Sequence, residues 1–395
     1  MLNPNYLADV SQETIEIFSE VENEIMRDIV RRILETGRIT DTAKWQLEKA
    51  KEVGLLRKDV KEYLASALNM SRKEVDKLFK DAAIKSLAVD DMIYKQAGLV
   101  PVSILKSDNM KAILLQGTRS TQKLLRNFTR TTAKTATMAL YNSLDKAYLL
   151  TEVGAYDYNR AIRQCVNELA SQGMSRIAYP TGHVDTAETA VRRAVVTSLN
   201  QTCAELTLYR AEDVGWDLVE VTSHVGARPT HARWQGKVYS ISGKKKGYKK
   251  LSTETGYGTG DGLCGWNCRH SFFPYFEGIS ERAFTPTSTR EEIEENERVY
   301  QLTQKQRYYE RKIRASKAEC ATLDQAVKSA KNETQEKMFK EDFAKASVKL
   351  KSREKKLTDY ISAHPELNRQ KEREWKGGFN HSVSAKAVWA NRKSK

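Results

Sequence analysis

Trp216-Asp217-Leu218-Val219-Glu220-Val221-Thr222 is where the sequence changes period. Upstream of it, apolar residues return every three or four positions. In this stretch β-branched residues alternate with polar ones, the pattern of a half-buried strand. Lys237-Val238-Tyr239-Ser240-Ile241 repeats the strand signature and stops at Gly243. Residues 243–262 are dominated by Gly, Lys, Ser and Thr, including Lys244-Lys245-Lys246 and Gly256-Tyr257-Gly258-Thr259-Gly260-Asp261-Gly262, and read as a loop. The expectation is a small α+β core inside a mostly α chain, with long helices flanking a short-stranded module rich in His and Cys.

Working outward, the helical signal is strong on both sides. Ser11 precedes Ile15, Phe18, Val21, Ile25, Ile29 and Ile33, one apolar stripe closed by Gly37 at a left-handed cap position. Ser71-Arg72-Lys73-Glu74 has capping-box spacing and predicts a helix start, with Val75, Leu78, Phe79 and Ala82 on one face. Similar stripes cover 109–149 and 158–169. Asp185-Thr186-Ala187-Glu188 places an acid three residues before a glutamate and opens another helix, in which Val191, Ala194, Val195, Leu199 and Leu206 face a core; it should end near Gly215. After Pro286, Ile293, Leu302, Tyr309, Ile313, Cys320, Leu323 and Val327 mark a seam through charged sequence up to His364-Pro365, broken at Asn332-Glu333-Thr334 by an expected turn. Residues 377–395 are polar and basic with a lone Trp389, and read as a flexible tail able to dock on a partner.

Composition bounds the function. At about 100–200 residues per domain, a chain of 395 residues predicts two or three structural units. No apolar run approaches the roughly 20 residues needed to cross a bilayer, and the N-terminus lacks the basic start and apolar stretch of a secretory signal. The chain is therefore expected to stay in the cytoplasm where it is made. Five cysteines, Cys165, Cys203, Cys264, Cys268 and Cys320, are scattered and odd in number, which is not a disulfide framework. A net charge of +15 attracts DNA phosphates or an acidic protein surface, although charge speaks to association and not to fold.

The residues with chemical character lie between 221 and 278. His224 and His231 follow the first strand, and Cys264, Cys268 and His270 follow some forty residues later. Thiolate and imidazole together suit Zn²⁺ in a tetrahedral site. Cys-x-x-x-Cys and a six-residue gap between histidines are, however, looser than zinc-finger spacing. The alternative is a hydrogen-bonded staple, in which the imidazoles bond backbone groups of an irregular loop, and the spacing favours it. A Cys264–Cys268 disulfide ranks below both. His224, Asn267 and His270 also occur in the order found in some metal-assisted nucleases, and a Cys–His nucleophile is conceivable on residue type. Nothing in the sequence supplies the acidic metal cradle of the first or an oxyanion hole for the second. The glycine cluster at 256–262 lacks the Gly-Lys-Ser/Thr ending of a phosphate loop.

Three segments together resemble a known family: Thr222-Ser223-His224-Val225-Gly226-Ala227-Arg228-Pro229-Thr230-His231, Trp234-Gln235-Gly236-Lys237-Val238-Tyr239, and Gly262-Leu263-Cys264-Gly265-Trp266-Asn267-Cys268-Arg269-His270. They look like the phage minor capsid protein 2 family, a relative of the MuF-type head morphogenesis proteins. In those relatives an Arg-Pro-x-His segment, a Gly-x-Val-Tyr/Phe strand and a terminal Asn-Cys-Arg element occur in the same order. Residues 185–193 and 306–314 look like the family's flanking helices, so the resemblance covers most of the chain.

The resemblance implies a low-copy structural protein of the phage head interior that binds the portal and assists head morphogenesis or DNA packaging and delivery. It implies no catalytic residue, and makes His224, His231, Cys264, Cys268 and His270 signature positions of the core, with or without zinc. The expected organisation is a helical region contacting portal or capsid at 1–180, a MuF-like α+β core at 181–285, a long helix or helical hairpin at 286–365, and the basic tail at 366–395. The expected partners are the portal protein or major capsid protein, and packaged double-stranded DNA through non-specific charge. No toxin domain is expected at the C-terminus. The alternative function is a metal-dependent DNA-binding protein or nuclease of mobile DNA.

Overall fold

The computed structural model describes residues 2–37, 41–173, 177–178 and 184–393. Along the chain, α1 (Pro4–Asp9), α2 (Gln12–Glu35), α3 (Thr42–Gln96), α4 (Asp108–Glu152) and α5 (Tyr158–Gln172) come first. A two-residue strand pair, β1 (Ile177–Ala178) with β2 (Val184–Asp185), leads into α6 (Ala187–Asp213). The small sheet and its loops follow as β3 (Leu218–Val221), α7 (Pro229–Ala232), β4 (Val238–Ser240), α8 (Leu251–Thr255) and β5 (Phe272–Pro274). Helices α9 (Arg290–Ser329), α10 (Glu333–Ser362) and α11 (His381–Lys393) complete the chain. The fold is mostly α with a small α+β core, as the change of period predicts. Among the described residues no helix is long and apolar enough to cross a membrane.

The chain divides into two compact units, each assembled from three separated segments. The first takes 1–15, 70–126 and 189–304; the second takes 16–69, 127–188 and 305–395. Contiguous blocks at 1–180, 181–285, 286–365 and 366–395 do not coincide with these units. The reason is helix length: α3 has 55 residues and α4 has 45, and each gives one part of itself to each unit. Which unit a helical turn joins depends on which side chains surround it, and periodicity along one chain does not report that.

In the first unit, β3 lies between β4 and β5, antiparallel to both, pairing Val219 with Tyr239 and with Pro274. All four β3 residues are buried, so the half-buried alternation expected of it is not what forms. Glu220 is accommodated because its carboxylate accepts from the backbone N–H groups of Phe284 at 2.8 Å and Ala283 at 3.2 Å. Val219, Val221, Trp234, Tyr239, Leu263, Cys264, Cys268 and Phe272 form one apolar cluster on this sheet. Residues 243–262 are not wholly loop. Helix α8 occupies 251–255 and stops at Gly256, whose φ of +65° is open to glycine.

The second unit is helical, with a core drawn from α2, α3, α4, α5, α9, α10 and α11 that includes Ile29, Ile33, Trp45, Leu56, Leu140, Val166, Ile313, Leu323 and Phe343. Helix α2 ends at Glu35, with Gly37 at φ +68°, where the stripe and the glycine place its end. The turn expected near Asn332 is present. Asn332 Oδ1 accepts from Gln335 N at 2.9 Å, and Gln335 Oε1 accepts from Lys331 N at 2.9 Å, a reciprocal cap that starts α10.

Two helical expectations differ. Ser71 begins no helix: α3 runs through it unbroken, and Ser71 is buried, because no Pro or Gly interrupts the Leu/Ala/Lys-rich turns on either side. The expected tail carries α11, whose Val383, Ala387 and Ala390 are buried in the helical core. Three small apolar residues four and three apart suffice to seat a short helix that composition alone reads as a tail.

Candidate functional site

The His/Cys residues are brought to the sheet core by backbone geometry that only a few sequences tolerate. Cys264 and Asn267 hold φ of +59° and +55°, so the chain doubles back between them. A Cβ on Gly262 would sit 2.0 Å from Gly256 O, and one on Gly265 would sit 2.4 Å from Gly260 O. The two loop segments therefore pack backbone against backbone. From α6, Asn200 Nδ2 donates to His270 O at 2.8 Å and Cys268 O at 3.2 Å, fixing a stretch that has no strand partner of its own. Ser271 then enters the sheet edge, its carbonyl accepting from Thr222 N at 2.9 Å.

His231 lies on α7, a single turn started by Pro229. Its Nε2 is 2.8 Å from Asp261 O, and its Nδ1 faces Cys268 Sγ at 3.8 Å. His270 mirrors this arrangement, with Nε2 at 2.9 Å from Gln235 Oε1 and Nδ1 at 3.6 Å from the same sulfur. All three residues are buried, and their donor atoms lie within 4.8 Å of one another. Trp234 closes the side, its ring 4.6 Å from His231 and 4.8 Å from His270 between centroids.

The other two positions stand differently. His224 stacks on His270 at 4.5 Å, but its Nδ1 lies beside Val225 O at 3.1 Å and Arg269 Nη2 at 3.3 Å. Cys264 is buried and donates to His270 O at 3.6 Å, the carbonyl that Cys268 also approaches at 3.9 Å. Asn267 is on the surface, held by its backbone N–H to Thr197 Oγ1 at 3.2 Å. Of the five signature residues, the structure thus gathers His231, Cys268 and His270 around one point, with His224 and Cys264 flanking.

Burial sets the protonation of this group. It pushes His270 well below the ordinary histidine value, helped by the neighbouring His224 and His231 rings. Burial also lowers His231, partly offset by the hydrogen bond to Asp261. Both thiols move the other way: burial raises Cys264 well above its usual value and raises Cys268 against the pull of nearby hydrogen bonds. At neutral pH the group is two neutral imidazoles and two thiols: Arg228 and Arg269 lie near enough to pull Cys268 down, but burial outweighs them, unlike the part-exposed setting that activates a cysteine nucleophile.

Gln235 and Asn200 were given no role by sequence reading. Gln235 Oε1 accepts from both His224 N at 3.1 Å and His270 Nε2, and its Nε2 donates to Thr287 Oγ1 at 2.8 Å. The available signal is its position, four residues after His231 and therefore one turn on, between Trp234 and Gly236.

The sequence profile of the phage minor capsid protein 2 family matches residues 2–362, spanning both units and every element of the site. The chain belongs to the phage minor capsid protein 2 family. Among relatives of this minor capsid chain, a structural protein of Lactococcus phage LL-H is 25% identical over 299 residues, covering 72% of this chain and 79% of the relative. A structural protein of Lactococcus phage mv4 is 32% identical over 119 residues, which is 30% of this chain and 85% of the relative. No solved structure matches this minor capsid protein. Its class is that of a bacteriophage structural protein.

Proposed function

We propose that this minor capsid protein works inside the phage head, docked on the portal, where it assists head assembly or the packaging and delivery of DNA. The observation that carries the reading is where large apolar side chains meet solvent. Among the described residues of the first unit they concentrate between 70 and 124: Val100 is 89% exposed and Leu105 78%, with Met70, Ile84 and Met92 also exposed along α3. Apolar side chains left in solvent along one segment of one unit are what a protein partner can cover, which supports the reading. The net charge of +15 supplies a second, salt-dependent contact to packaged DNA. Family membership favours the portal as that partner over an unrelated one.

Co-expressed with the portal protein of the same phage, the full-length chain should co-elute with it at physiological salt. Val100→Asp with Leu105→Asp, both on exposed positions and so harmless to folding, should weaken the complex. Clean separation of the unaltered chain from the portal under those conditions would overturn portal docking.

A further inference from the structure

We propose that His231 Nδ1, Cys268 Sγ and His270 Nδ1 bind one zinc-class divalent ion in the sheet core of the first unit. Hydrogen-bond partners fix where each ring carries its proton. A backbone N–H can only donate, so the atom of Gln235 that meets His224 N is its oxygen. That same oxygen meets His270 Nε2, which therefore carries the ring proton. Asp261 O is a carbonyl, so His231 Nε2 likewise carries the proton. A neutral imidazole has only one. Both Nδ1 atoms are thus bare lone pairs, and both face the single thiol of Cys268.

One S–H proton cannot serve two acceptors. Among the described residues nothing else within hydrogen-bond reach donates to either lone pair, so protein groups alone leave one buried acceptor unmet. A cation satisfies both at once. With Zn–N of about 2.0–2.1 Å and Zn–S of about 2.3 Å, a tetrahedral site separates sulfur from nitrogen by roughly 3.6 Å. The observed sulfur–nitrogen separations are 3.6 and 3.8 Å, and all three donor atoms lie within 4.8 Å of one another, so binding needs the two rings only to close in on the ion. Imidazole with thiolate selects zinc over magnesium or calcium, which take oxygen ligands.

The surroundings are those of a supported metal site. Each ligand histidine anchors its remote nitrogen on an oxygen, Asp261 O for one and Gln235 Oε1 for the other, and Gln235 is itself held by Thr287. Asn200 pins the Cys268 and His270 carbonyls. Cys264, whose thiol shares the His270 carbonyl with Cys268, stands outside the three donor atoms that lie within 4.8 Å of one another, so the fourth corner falls to water. Binding releases the Cys268 thiol proton to solvent and leaves both imidazoles neutral.

The test uses the full-length chain, expressed without a polyhistidine tag and purified without chelator. Elemental analysis should find about one zinc per chain. Cys268→Ser should bring that to background, while Cys320→Ser, in the second unit, should leave it unchanged. Should Cys268→Ser not fold, the unaltered chain still decides the matter: reloaded with Co²⁺, it should develop thiolate-to-cobalt charge transfer and the intense visible bands of a tetrahedral ion. Background zinc together with no cobalt spectrum would overturn the proposal, and so would a folded Cys268→Ser that keeps its zinc. The portal experiment is independent of this one, since docking can fail while the ion is present.

Discussion

Around Arg32 and Lys376 of the helical unit the buried polar groups are charges matched to charges; around Cys268 in the sheet core of the other unit they are neutral rings and thiols matched to oxygens. Arg32 is buried with its guanidinium 2.7 Å from Glu52, 2.6 Å from Asp59 and 3.2 Å from Asp28. Lys376 sits 2.6 Å from Glu22 and 2.8 Å from Glu188, and Arg314 reaches the second oxygen of Glu188 at 2.9 Å. Every donor in that set has a carboxylate. Around Cys268 the sum does not close, since two ring lone pairs face one thiol proton. A saturated network holds a fold together, whereas an unsaturated buried one is a place prepared for something else.

The largest expected effect comes from breaking the saturated side. Lys376→Met leaves Glu22 and Glu188 buried without their shared cation, and should destabilise the second unit by about 3–5 kcal/mol. Thermal unfolding should show it as a fall of roughly 10 °C in that unit's transition. A fall within a degree or two would mean that solvent already screens the network, and the contrast between the units would lose its basis.

The same network predicts a pH dependence of intermediate size. Burial alone would raise the Glu188 carboxyl, but Lys376 and Arg314 overcome it and hold the group at about 2, against an ordinary 4.5. A depressed carboxylate contributes stability that is complete above its unfolded value and lost as pH falls toward its folded one. That amounts to at most about 3 kcal/mol, lost between about pH 5 and pH 2. Glu310 and Glu354, raised by burial, respond in the opposite sense and are common to any variant compared. Glu188→Gln should therefore start less stable and show a shallower acid limb in urea midpoint against pH. Parallel limbs for the two chains would remove Glu188 from the account.

Legibility follows the same division. The apolar stripe of α2, the change of period at β3, the stop at Gly243 and the turn at Asn332 are local signals, and each fixed its element. His224, His231, Cys264, Cys268 and His270 were legible as residue types near strand ends, because cysteines and histidines are scarce in this chain, but which three of them share one point was not. What local pattern does not carry is the partner. Strand β5 is three residues ending in Pro274, too short to alternate, and exists because β3 offers it an edge. Glu188 has capping-box spacing after Asp185, yet its carboxylate is spent on Lys376 and Arg314, residues 188 and 126 positions away. Gln235 carries no motif at all; its role is set by His224, His270 and Thr287 converging on its amide.

The smallest expected effect probes the neutral side. Thr287→Val removes the acceptor of Gln235 Nε2 and nothing else in the chain from Thr287 to His270. Gln235 has no reason to turn over in response, since the flipped amide would set its NH₂ against two donors, His224 N–H and His270 Nε2–H. The ring tautomer should persist, and the cost should be that of one lost hydrogen bond, about 1 kcal/mol, or roughly 2–4 °C in the first unit's transition. Nitrogen chemical shifts of the histidine rings report the tautomer directly, and those of His270 should be unmoved. If Thr287→Val instead cost as much as Lys376→Met, or switched the proton of His270 to Nδ1, the neutral core would be a cooperative network in its own right. The lone pair facing Cys268 would then be a consequence of Thr287, and not a fixed feature of the fold.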